Sequence, residues 1–260
     1  EVITNKEKKD LLKLVLELGL EAEKIKNGDI SVEIKCDHSP LSSADTLVNN
    51  ELNSFLTKTS YKKIISEENK TVDYDVRKKW DFFWMIDPID GTKEFIKKGS
   101  DYTLNIALCK KDKPIFSIVY APARNELYYA EKGKGAYKNE KKILCKKHIG
   151  KKLRIVASKS HLSHETAVII DELNKTHDVR LLQYGSSLKI CKIADGSADI
   201  YPRLAPTMEW DTCPAHLILN ESLGSLQSQN NYELKYNKSN LLNPHFIAFA
   251  NGFSEILPRW

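Results

Sequence analysis

Hydrophobic positions divide the chain into two stretches with different rhythms. Over residues 6–26, Leu11, Leu14, Val15, Leu18, Ala22 and Ile25 recur at helical spacing above a charged opposite face, which predicts an amphipathic helix. Leu47, Val48, Leu52, Phe55 and Leu56 do the same over 43–57; Ser42 or Ser43 is placed to cap this helix, with Asp45 in its first turn. The rhythm then shortens. YKKIIS (61–66) reads as a short strand running into Glu67 and Glu68, FFWMI (82–86) as a buried strand and TLNIALCKK (103–111) as a half-buried alternating one. KPIFSIVYAPARNELYYAEKG (113–133) reads as two strands joined by a Pro-containing turn, and GKGAYKN (133–139) as a further turn.

Periodicity lapses over the lysine-rich residues 138–152, where we place a boundary between two tightly packed halves, 1–138 and 139–260. Beyond it the order changes. RIVAS, RLLQYG, DIYPRL and HFIAFAN read as strands, and HETAVIIDELNK, SSLKICKIADG and DTCPAHLILNE as the helices between them. Such alternation predicts a second, layered unit of helices on a sheet, and an α+β protein as a whole.

Composition narrows this picture. With 260 residues the chain suffices for one large domain or two small ones sharing a core. Apolar residues at 41% and charged residues at 29% fit an ordinary globular protein, and no apolar run approaches membrane-spanning length. Residues 1–10 (EVITNKEKKD) do not resemble a signal peptide. The five cysteines are odd in number, dispersed and without CxxC spacing, so free thiols in a reducing cytoplasm are expected rather than disulfides or zinc. A net charge of +5, densest in KKILCKKHIGKK (141–152), lacks the interleaved aromatics of a nucleic-acid face. It suits a small anionic substrate instead. Peripheral contact with the inner membrane and a homodimer are both compatible with this composition.

The chemistry concentrates in FFWMIDPIDGTKEF (82–95). Asp-Pro and Asp-Gly are common turn formers, which would account for Asp87 and Asp90 structurally. Three details point further. The pair follows a strand expected at the centre of a sheet, where ligands bind at strand ends. Gly91 and Thr92 precede KEFIKK, which can open a helix, so their N–H groups would face an anion that glycine lets approach closely. Carboxylates beside an anion demand a cation between them, and Mg²⁺ is the hard cation that bridges carboxylates to phosphates. Elsewhere, Glu67-Glu68 reads as an acidic turn, Asp211 as an N-cap and Lys189 as a surface residue on a first helical turn. His161 and His164 lack the partners that a zinc site needs.

In their order along the chain, SEEN (66–69), DPIDGT (87–92) and WDTCPAHLIL (210–219) resemble the inositol monophosphatase superfamily. DHSPLSSAD (37–45), DGTKEF, SKSH (158–161) and YGSSLKICKIADGSADIYPR (184–203) resemble its bacterial 3′(2′),5′-bisphosphate nucleotidase branch. The resemblance covers nearly the whole chain. It implies a layered αβαβα sandwich and a lithium-sensitive phosphatase using two to three Mg²⁺ ions. Glu67, Asp87 and the carbonyl of Ile89 would hold the first ion; Asp87, Asp90 and Asp211 the second; Glu67 would also face a third near Asp45. Asp45 and Thr92 would activate water. The substrate would lie against Glu67, Ile89, Asp90, Gly91, Thr92, His161, Gly185, Lys189 and Asp211, with Arg203 near a second phosphate or a carboxylate. The implied reaction removes the 3′-phosphate of adenosine 3′,5′-bisphosphate, with 3′-phosphoadenylyl sulfate as a further substrate, in sulfur metabolism. An inositol or sugar monophosphatase and a non-catalytic polyanion-binding protein are the rival readings; KEF after DGT, SKSH and GSSLK weigh against the first.

Overall fold

The computed structural model describes residues 3–36, 39–147, 150–158 and 163–253. Two long helices come first, α1 (Asn5–Asn27) and α2 (Ser43–Leu56), separated by the hairpin strands β1 (Val32–Ile34) and β2 (Pro40–Ser42). Next come β3 (Ile64–Ser66), the short α3 (Tyr74–Arg77), β4 (Phe82–Asp90), α4 (Thr92–Ile96), β5 (Thr103–Lys110), β6 (Lys113–Ala121), β7 (Glu126–Glu131), β8 (Gly135–Lys138) and β9 (Lys141–Ile143). The remainder is β10 (Lys152–Ser158), α5 (His164–Asn174), β11 (Asp178–Tyr184), α6 (Leu188–Ala194), β12 (Ile200–Arg203), α7 (Glu209–Glu221), β13 (Ser225–Ser228) and β14 (Phe246–Phe249).

β3 to β9 form a seven-stranded sheet in chain order, and a five-stranded sheet runs β11-β10-β12-β14-β13. Helices α1 and α2 cover the outer face of the larger sheet, α6 and α7 lie between the sheets, and α5 covers the smaller one. This is the expected αβαβα sandwich. Strand alternation explains it. In β4, Trp84 and Ile86 join the cluster under α1 and α2, whereas Phe83 and Met85 join the cluster around α7. β5 and β6 alternate likewise, with Ile106 and Ile118 facing outward helices and Ala107 and Val119 facing α7. A strand buried on both faces reads as one apolar run, as FFWMI does.

Three local expectations are corrected. GKGAYKN is not a turn throughout, because GAYK pairs with β7 as strand β8. The larger sheet continues to Ile143, through β9. Strand β4 does not end at Ile86: β5 keeps pairing with it as far as Asp90. The five cysteines are free thiols, including Cys109 and Cys213 with sulfurs 3.4 Å apart in the core.

His216 on α7 is buried between the sheets, its Nδ1 2.8 Å from the Tyr236 hydroxyl. Burial, with Lys113 adding and Glu233 opposing, lowers its pKa to about 4 from the ordinary 6.5. Between these values the unfolded chain binds the proton and the native one does not, so stability falls as pH drops through that window and is fully present above it. From pH 6.5 to pH 5 the native protein should lose about 2 kcal/mol more than a His216→Asn variant in urea unfolding. Equal pH slopes for the two proteins would refute this role for His216.

Candidate active site

The site forms where β4 breaks its alternation. Asp87 pairs with Asn105 and Asp90 with Thr103, so three steps along β4 match two along β5. That extra residue is a β-bulge, next to Pro88, which has no N–H to give to the ladder. In a regular strand, residues three apart point to opposite faces. The bulge cancels this. Ile89 turns outward into the cluster under α1 and α2, while Asp87 and Asp90 both face the middle helical layer.

Other elements bring further carboxylates. Glu67 follows β3, and its N–H donates to the Ile86 carbonyl at 3.2 Å, which sets it beside Asp87. Asp211 stands in the first turn of α7. It is not the N-cap: it accepts the Met208 N–H at 2.8 Å from the third helical position. Carboxylate oxygens of Glu67, Asp87 and Asp211 lie within 4.8 Å of one another. Asp87 is 1% exposed, and its Oδ1 has no hydrogen-bond partner. Burial first, then the neighbouring Glu67, Asp90 and Asp211, pushes its pKa well above the ordinary carboxylate value. Burial and Asp90 push Asp211 up as well, and burial, partly offset by Lys35, does so for Glu67. An orphaned buried oxygen among repelling, all-oxygen donors is what a hard divalent cation neutralises, so these residues fit Mg²⁺.

Asp45 does two things at once. Its Oδ2 accepts the Ser42 N–H at 2.8 Å, completing the predicted cap of α2. Its Oδ1 faces the Thr92 hydroxyl at 3.2 Å, and that hydroxyl also lies 3.0 Å from the Ile89 carbonyl. Burial raises the Asp45 pKa, against the Ser42 hydrogen bonds. Between β4 and Thr92 the chain turns at Gly91 with φ +92°, and a Cβ there would meet the Asp101 carbonyl at 3.0 Å. α4 is a single turn, Thr92–Ile96, so an anion here would meet individual N–H groups rather than a long helix dipole.

The turn before α6 closes the other side. Asp101 is buried between Arg124 and the Gly185 N–H, which it accepts at 2.9 Å. A Cβ at Gly185 would sit 2.8 Å from Asp101. Lys189 is buried, correcting the surface placement; its Nζ donates to the Ser186 carbonyl at 2.8 Å and stands 5.5 Å from the Tyr201 ring centre. Burial lowers its pKa to about 8, with Asp90 opposing and Arg203 adding. Lys189, Tyr201 and Arg203 line a cavity of about 140 Å³ whose walls include Asp90 and Asp211. Arg203 donates to the Pro206 carbonyl at 3.0 Å, and its buried Nε has no partner. His161 lies outside the described residues.

Four contributors were not singled out individually in the sequence. Lys35 holds Glu67 at 3.1 Å and Glu68 at 2.7 Å, and these carboxylates outweigh its burial and raise its pKa. Asp101, Asn105 and Ser187 act through hydrogen bonds across long chain separations, which no local spacing reveals.

Because burial and the neighbouring carboxylates Glu67, Asp90 and Asp211 oppose the charged form of Asp87, Asp87→Asn should stabilise the metal-free protein. We expect at least about 1 kcal/mol, or about 2–4 °C in Tm with EDTA present. Adding Mg²⁺ should raise the Tm of the native protein and much less that of the variant. A lower Tm for the variant in EDTA would show that Asp87 is not under electrostatic strain.

Comparison with known proteins gives the family and the fold. The model of the Inositol monophosphatase family matches residues 8–248. The chain is 35% identical over 216 residues to the 3′(2′),5′-bisphosphate nucleotidase CysQ of Salmonella typhimurium, covering 82% of this chain and 86% of that protein. The crystal structure of CysQ from Bacteroides thetaiotaomicron, described as a bacterial member of the inositol monophosphatase family, superposes with a TM-score of 0.82 at 38% identity, covering 92% of this chain and 95% of that one. The Thermotoga maritima IMPase shares the fold at a TM-score of 0.76 and 23% identity, covering 95% and 93% of the two chains. Matched by the family model along most of its length and 35% identical to a curated relative over 82% of the chain, it belongs to the inositol monophosphatase family.

Proposed function

We propose that this protein is a Mg²⁺-dependent 3′(2′),5′-bisphosphate nucleotidase, which hydrolyses the 3′-phosphate of adenosine 3′,5′-bisphosphate to give AMP and phosphate. It accepts 3′-phosphoadenylyl sulfate as well and clears by-products of sulfate activation in the cytoplasm, a setting its free cysteines support. One observation carries the choice of substrate. The acidic cluster that would hold the reacting phosphate opens onto a cavity bearing Lys189 and Arg203. These two cations donate to backbone carbonyls, and a bisphosphate would bring them a second anionic group that a monophosphate lacks.

Glu67, Asp87 and the Ile89 carbonyl would hold one Mg²⁺, and Asp87, Asp90 and Asp211 another, with a third near Glu67 and Asp45. Bound there, the ions supply Lewis-acid stabilisation of the charge that develops on the phosphoryl oxygens. The chain's own residues do the rest. Thr92 Oγ1 takes a proton from the attacking water as it passes its own to Asp45 Oδ1, across the 3.2 Å contact. Burial keeps Asp45 more basic than an ordinary carboxylate. Water attacks phosphorus, the bond to the 3′ oxygen breaks, and the leaving oxygen takes up a proton from solvent. Gly91 lets the backbone approach the phosphate. Gly185, His161 and Lys189 take the nucleotide side of the substrate.

Phosphate release should be far faster from adenosine 3′,5′-bisphosphate than from inositol 1-phosphate at equal Mg²⁺. Comparable kcat/KM for the inositol phosphate would instead support the monophosphatase reading. Asp45→Asn and Thr92→Ala should each lower kcat by about 10²- to 10⁴-fold with KM nearly preserved. The double variant should be about as impaired as either single one, since the two groups act as a unit. Multiplicative losses, or an effect on KM alone, would reduce Asp45 to its capping role.

Li⁺ approaches Mg²⁺ in size with half the charge, so it can fill an oxygen site without stabilising the transition state equally. LiCl should therefore inhibit well beyond NaCl at the same concentration. Equal effects would be simple ionic strength and would overturn this expectation.

A further inference from the structure

Three donor groups converge on Oδ2 of Asp90: the Ser187 amide at 2.7 Å, the Ser187 hydroxyl at 2.8 Å and Asn105 Nδ2 at 3.2 Å. A carboxylate gripped on one oxygen has fixed torsions and presents the other in a single direction. The donors are themselves fixed. Asn105 is fully buried, and the Thr103 hydroxyl donates to its Oδ1 at 2.9 Å, which turns Nδ2 toward Ser187 Oγ at 2.8 Å. The Ser187 hydroxyl also lies 2.6 Å from the backbone carbonyl of Asp211. With Asn105 donating to it, its one proton goes to Asp90 or to Asp211.

Asp90 belongs to the bulge of β4, and Asp211 to α7 in the next layer. Ser187 sits between them, ahead of α6. We propose that Ser187, oriented by Asn105, is the positioning residue of the second Mg²⁺ site: it sets the separation of Asp90 and Asp211 and aims the free oxygen of Asp90. This rests on the two-metal reading of the site given above. It also ties that site to the turn Gly185–Lys189, which takes the nucleotide, so one short segment serves both.

Ser187→Ala keeps the amide donor but removes the hydroxyl that joins the two ligands. Loss of such outer contacts typically weakens metal affinity by about 10- to 100-fold. Ser187→Thr keeps a hydroxyl. The test is calorimetric titration of MgCl₂ into the metal-free full chain, without substrate, alongside Tm in EDTA to confirm folding. We expect the apparent Kd for Mg²⁺ to rise about 10- to 100-fold in Ser187→Ala and to return to within a few-fold of the native value in Ser187→Thr. The lost turnover of Ser187→Ala should be recovered by raised Mg²⁺, which a merely structural defect would not allow. A Kd within two-fold of native for Ser187→Ala, with native binding intact, overturns the role of Ser187 and leaves the proposed function standing. A native protein that binds no Mg²⁺ overturns both.

Discussion

Mutual repulsion among buried carboxylates is the constraint around which the molecule is arranged. Glu67, Asp87, Asp90 and Asp211 come from three different parts of the chain and converge where solvent screens little. Such a cluster destabilises a fold unless a cation neutralises it. The surrounding structure absorbs part of that strain. Lys35 lends its ammonium to Glu67, and donors from Ser187 and Asn105 settle on Asp90. Asp87, at the centre, is left with an oxygen that has no hydrogen-bond partner among the described residues. The group least compensated by the chain is the one that the two proposed metal sites would share.

The layered architecture makes this convergence possible. The middle layer, α6 and α7, is the one level that both sheets reach, and the bulge in β4 turns two carboxylates toward it. Rigid elements supply the ligands: a strand, the turn after a second strand and the first turn of a helix. Asp45 shows how little of this machinery is separate from the fold. One oxygen caps α2 while the other addresses Thr92, so the helix terminus and the proposed proton acceptor are a single group.

Substrate choice draws on a different kind of burial. Lys189 is enclosed with Tyr201 and its charge is weakened there, while Arg203 has an Nε without a partner. Both gain when an anion enters the cavity they line, since buried donors left unmade are expensive. The same physics that makes the acidic cluster fit a cation underlies the proposal that this neighbouring pocket takes a second phosphate.

Much of this was legible in the chain alone. Helical stripes and the apolar run of β4 sufficed for the helices and most strands, because short-range periodicity and turn chemistry are written locally; the αβαβα sandwich and the set of site residues came from the family resemblance carried by DPIDGT, GSSLK and WDT. Tertiary structure decided the rest. Whether Asp87 and Asp90 share a face depended on β5 continuing to pair through a bulge. That Lys189 is buried depended on the packing of α6 between two sheets. Lys35, Asp101, Asn105 and Ser187 enter through contacts between segments far apart in the chain. A sequence pattern records which side chains an element can present. Only the packing of layers determines which of them meet, since it sets the distances over which hydrogen bonds and charges act.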